Sequence, residues 1–115
     1  MPKQKLSPLP AAAFQILMAL VDEDLHGYEI MRRVEEQTAG RIRLGPGTLY
    51  SSIQALLEAG FIAEISQRPD AAGDERRRYY RLTAAGRKAG REEAERLADL
   101  LRVARAKKIL RGEYV

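Results

Sequence analysis

Thr48, Tyr50, Ser51, Ser52 and Gln54 crowd into GPGTLYSSIQALLEAGFI, residues 45–62, and none of them carries a charge. Hydroxyls and a carboxamide exchange hydrogen bonds, but without a base beside them they do not attack bonds. The chain holds no cysteine and a single histidine, His26. Thiolate chemistry, disulfides, Cys-based zinc sites and His-cluster metal sites are excluded, and most acid–base triads are hard to build. The expectation is no catalytic residue, no metal, no cofactor, and a protein that is not an enzyme. A second group of chemically able residues is ERRRYYR, 75–81, where Arg76, Arg77 and Arg78 follow the turn-like DAAGD. Three guanidiniums at a hairpin tip suit contact with phosphate oxygens, and a solvated strand end would look the same.

The elements that must position these groups are legible from periodicity. Apolar residues at 49, 53, 56 and 57 form one buried stripe, so residues 45–60 read as a helix. Its opposite face carries Thr48, Ser51, Gln54, Ala55 and Glu58, with Tyr50 and Ser52 on the shoulders. A helix that enters a groove tip first needs small, neutral residues there. Gly45 and Gly47 permit close approach, and the free N–H groups of the first turn can receive a phosphate. Hydroxyls and an amide can then contact phosphate or base edges. An ordinary capped helix start in water accounts for the same residues.

Before this helix, PLPAAAFQILMALVDED (8–24) is apolar nearly all round and HGYEIMRRVEEQTAG (26–40) is amphipathic, giving two more helices. In the second, Tyr28, Ile30, Met31 and Val34 lie to one side and Arg32, Arg33, Glu35 and Glu36 to the other, with Gly40 as its stop. RIRL (41–44) is a minor strand or an extended link. Tyr28 opens the second helix, where its hydroxyl can reach a phosphate or its ring can pack; His26 reads as a turn or cap residue. After the third helix, 61–69 and 76–83 are strand-like about a turn, and alternation places Tyr80 and Leu82 on one face, Tyr79 and Arg81 on the other. Thr83 is placed to cap a last, long helix. Three helices and a hairpin are the layout of a winged helix-turn-helix, in which the third helix enters the major groove. The fold class is therefore α+β, mostly helical. Its divisions are a flexible N-terminus (1–7), the winged helix-turn-helix (8–83) and a long C-terminal helix (84–115).

If residues 83–111 form one helix, it spans ~43 Å at 1.5 Å per residue, against a radius of gyration of ~13 Å for an ordinary 100-residue domain. Its overhang needs cover. Ala94, Leu97, Leu101 and Ala104 follow 3–4 spacing, which suits a homodimer seam, unless the helix folds back across its own core.

The net charge of +4 favours a polyanionic partner only weakly, while 45% hydrophobic and 31% charged residues mark a folded chain. Lys3 and Lys5 before AAAFQILMALV imitate a secretory signal, but Pro8 and Pro10 precede the run and DED ends it. The run is about half the ~20 residues of a membrane span. A buried first helix, a cytoplasmic protein and no membrane partner are expected.

HGYEI (26–30), GTLYSSIQALLEAGFI (47–62) and RRRYYRLTAAGR (76–87), in this order, make the chain resemble the PadR family of bacterial transcriptional regulators. With the helices between them they cover nearly all of 8–87. The resemblance implies a dimeric repressor that binds an inverted-repeat operator in double-stranded DNA, with the short form's single C-terminal helix exchanging contacts between subunits. DNA-facing positions fall on Tyr28, on Gly47, Thr48, Tyr50, Ser51, Ser52 and Gln54, and on Arg76, Arg77 and Arg78. Some short members seat a small apolar effector between aromatics of the last helix. Residues 83–113 hold no aromatic, and Ser51 stands where members often have proline. The competing reading is a winged-helix module that binds protein and has lost DNA.

Overall fold

The computed structural model describes residues 6–65 and 78–110. The order is α1 (Ala11–Ala19), β1 (Leu25–His26), α2 (Gly27–Gln37), α3 (Pro46–Ala59), β2 (Ile62–Ile65), β3 (Tyr79–Leu82) and α4 (Ala84–Ala106). α1 starts directly after Pro10, which has no N–H to leave unpaired. It is shorter than the 8–24 pattern suggests and buries Ala13, Ile16, Leu17 and Ala19 on more than one side. Those side chains meet Ile30 and Val34 of α2, Leu49, Ile53 and Leu56 of α3, and Ile62 and Tyr80 of the sheet in one core.

The ends of α2 and α3 are both closed by backbone geometry. α2 ends in a Schellman arrangement, with the Gly40 N–H donating to Glu35 O at 2.8 Å and the Ala39 N–H to Glu36 O at 3.2 Å. The left-handed residue that this motif requires is Ala39, at φ 54, one position before the expected stop at Gly40. Thr38 Oγ1 then donates to Val34 O at 2.9 Å and accepts the Ile42 N–H at 3.0 Å, pinning the extended link that leads to α3. α3 closes the same way on Gly60, with the Phe61 N–H donating to Leu56 O at 3.0 Å.

The sheet is antiparallel with order β1-β3-β2, pairing Leu25 with Tyr80 and Ile62 with Leu82. The two-residue β1 is absent from the sequence reading, and it explains a departure from strict alternation. Tyr79 lies opposite His26, whose ring meets it edge-on at 5.3 Å. Covered from that side, Tyr79 is only 2% exposed, as buried as its neighbour Tyr80, while Arg81 faces out and forms a two-nitrogen ion pair with Asp24.

α4 is fastened at its base. Thr83 Oγ1 accepts the Gly86 N–H at 3.0 Å and donates to Gly60 O at 2.7 Å, so the cap of α4 is tied to the end of α3. A methyl group on Gly86 would collide with the Phe61 carbonyl oxygen, and one on Gly90 would sit 3.1 Å from Met18 Cε. Small residues one turn apart thus let α4 lie against the domain. One turn on, Glu93 is 6% exposed, accepts the Leu9 N–H at 3.3 Å and pairs with Arg96 at 2.5 Å. Beyond Glu93 no described residue is buried. The helix ends at Ala106, earlier than expected, in a third Schellman arrangement with Lys108 at φ 65. No helix among the described residues is long and apolar enough to cross a membrane.

Candidate nucleic-acid interface

The surface around the start of α3 is built by α2 and α3 together. His26 caps α2: its Nδ1 accepts the Glu29 N–H at 3.3 Å, and the Glu29 carboxylate accepts the His26 N–H at 3.1 Å. This reciprocal pair fixes the first turn and turns Tyr28 outward, 60% exposed. Gly27 lies under Tyr50 of α3, whose hydroxyl would be 2.6 Å from a methyl group placed there. The missing side chain lets the Tyr50 ring cross the start of α2. Tyr50 of α3 is thereby brought beside the residue that precedes Tyr28, and both tyrosines are exposed.

Along α3, Leu49, Ile53 and Leu56 are buried and Thr48, Tyr50, Ser51, Gln54 and Glu58 are exposed, with Ser52 half-buried. Gln54 Nε2 donates to Glu58 at 3.1 Å and Ser51 Oγ to Thr48 O at 3.3 Å. Both bonds are at the surface and can be exchanged for an outside partner. Gly45 and Gly47 are exposed, and a methyl group on either would meet nothing within 4 Å. Gly45 has φ −74, which any residue adopts. Nothing among the described residues requires that glycine.

Of the three arginines assigned to the wing, Arg76 and Arg77 lie outside the described residues. Arg78 is exposed, with its Nε 3.6 Å from Glu64 across the hairpin. Burial, helped by Glu64, holds the Tyr80 hydroxyl above the usual tyrosine range, so it stays neutral and structural beneath this strand. One cation lies where the sequence reading did not set it, on the same face of α2 as Tyr28 and not the opposite one. Arg32, one turn along α2 from Tyr28, places its guanidinium 5.9 Å from the centroid of the Tyr28 ring. The i, i+4 spacing of Tyr28 and Arg32 was the available signal.

A model of the PadR-like family of transcriptional regulators matches residues 16–92. The chain belongs to that family. A Streptomyces fradiae transposon protein of 37.1 kDa is 36% identical over 89 residues, which is 77% of this chain and 24% of that protein. The chain therefore spans about a quarter of that relative's length. A PadR family transcription regulator from Clostridium difficile has a similar structure, with a TM-score of 0.74 and 24% identity over 84% of this chain and 97% of that one. Bacillus subtilis PadR, solved in complex with operator DNA, gives a TM-score of 0.59 and 22% identity over 76% of this chain and 46% of that one. These two likenesses show the shared winged-helix fold.

The PadR-like match stops just short of the seam residues on α4. There Ala94 is exposed, Leu97 and Ala104 are half-buried, and Leu101 is 40% exposed. Leu100 and Val103 widen this apolar strip beyond the seam read from spacing.

Proposed function

We propose that this chain is a sequence-specific DNA-binding regulator that acts as a homodimer and represses from an inverted-repeat operator. The observation that carries the reading is the tip of α3. Its exposed residues are small and uncharged, and its two glycines have open space where side chains would be. Such a tip can bring backbone N–H groups, Thr48, Ser51 and Gln54 against a duplex while Tyr28 and Tyr50 reach the flanking phosphates. The wing arginines Arg76, Arg77 and Arg78 add attraction. The solved complex of a protein of the same fold with operator DNA supports this arrangement.

Dimerisation through Ala94, Leu97, Leu101 and Ala104 is supported by the unburied apolar strip, which one copy leaves in water. A small apolar effector seated there would meet aliphatic side chains and no aromatic ring. The cytoplasm is the compartment that suits a protein working on chromosomal DNA.

Binding of the purified chain to duplexes from its own upstream region, followed by fluorescence anisotropy, tests the reading. Affinity should fall steeply with salt, and Thr48→Glu should weaken operator binding at least tenfold by placing a negative charge at the tip. Absence of binding to every genomic fragment at low salt would leave the protein-interaction module as the better reading.

A further inference from the structure

We propose that Arg32 is a phosphodiester-binding residue, held ready by the Tyr28 ring, and this rests on the DNA-binding reading above. Two successive arginines on α2 have opposite surroundings. Arg33 is engaged by Glu23 at 2.7 Å and by Glu36 at 3.7 Å, and the Glu23 carboxylate raises its already high pKa further. Arg32 has no carboxylate within ion-pair distance among the described residues. The three carboxylates spaced to reach it along the helix are occupied: Glu29 by His26, Glu35 by Arg43 at 3.4 Å, and Glu36 by Arg33. Among the described residues a positive charge is thus left without a carboxylate partner on an exposed turn.

Its position gives that charge a direction. Tyr28 and Arg32 share one face of α2, and the ring lies beside the guanidinium. A guanidinium braced on an aromatic ring keeps N–H groups free at its edge, able to donate to two phosphate oxygens at once. Tyr28 follows Gly27, over which Tyr50 of α3 rests. The Arg32 column thus begins one residue from the α2–α3 contact, and in the DNA-binding reading a duplex backbone would pass there. Attraction to DNA then comes from two sides, α2 and the wing.

The test uses the full chain as wild type, Arg32→Gln, Arg32→Met (which keeps the apolar stem) and Arg32→Lys. Each is titrated into an operator fragment and a scrambled duplex of equal length across a salt series, with thermal melting of every variant as a check on folding. Arg32→Gln and Arg32→Met should weaken both duplexes by the same factor and lower the slope of log affinity against log salt by about 0.9, the value for one phosphate contact. Arg32→Lys should restore the slope but only part of the affinity, because an ammonium lacks the planar fork. Wild-type slope and affinity in Arg32→Gln or Arg32→Met would overturn the inference and leave the DNA-binding reading intact. A loss confined to the operator would assign Arg32 to base contact and overturn the phosphate role. Failure of the wild type to bind any duplex would overturn both.

Discussion

Glu93 shows how much one side chain can organise. Its carboxylate joins the segment before α1 to α4 by accepting the Leu9 N–H while pairing with Arg96. Arg96, assisted by that N–H and opposed by burial, holds the Glu93 carboxyl below the usual carboxylate range. A carboxyl whose folded pKa is lowered contributes stability that is fully present above its unfolded value of about 4.3 and drains away as pH falls through the lower folded value. Wild-type melting temperature should therefore drop as pH falls below about 4.3, and Glu93→Gln should melt lower at pH 7 and lose part of that acid dependence. Thermal melts from pH 7 to pH 3 measure both. The same residue also marks a limit of sequence reading. In REEAERLADL nothing separates Glu93 from Glu92 or Glu95, because burial of the first depends on where residue 9 comes to lie. Arg32 and Arg33 are equally alike on paper, and their difference arises from which carboxylates other residues have already taken.

At the scale of elements, strong periods were readable and short pieces were not. The stripe Leu49, Ile53, Leu56 fixes α3 and its exposed side because helical spacing of apolar residues admits one face toward the core. β1 has two residues and no period, so neither the third strand nor the resulting burial of Tyr79 could be foreseen. The end of α2 was misplaced by a residue for a related reason. Gly40 invites the left-handed position, but the hydrogen bonds place Ala39 there as well. An alanine in that region carries a steric cost of roughly 1–2 kcal/mol that glycine avoids. Ala39→Gly should raise unfolding free energy by about 1 kcal/mol, measurable by urea denaturation, since the side chain is exposed and loses no packing. A lower midpoint would show that the turn is held by something other than its backbone.

The whole molecule is drawn out to 53 Å in its longest direction, with a radius of gyration of 15.7 Å, because the second half of α4 leaves the domain. Its apolar strip places an expectation on assembly. Replacing Leu97 and Leu101 together by Glu should convert a dimer to a monomer in sedimentation velocity and weaken operator binding at least tenfold, since one duplex would lose its second reading head. Monomeric wild type at micromolar concentration would refute the dimer. Overhang was legible in the long helical pattern of residues 83–111, although the helix itself stops at Ala106. The anchorage was not, since it depends on Gly86 lying against the carbonyl of a residue far away in sequence. That anchorage reaches beyond stability. With Thr83 bonded to the last turn of α3 and no room for a methyl group at Gly86, the joint has little slack. In the proposed dimer, tilting one long arm against its twin would swing the tip of α3 in proportion, as a crank turns its shaft, so the arms' crossing angle would set the stride along a bound double helix.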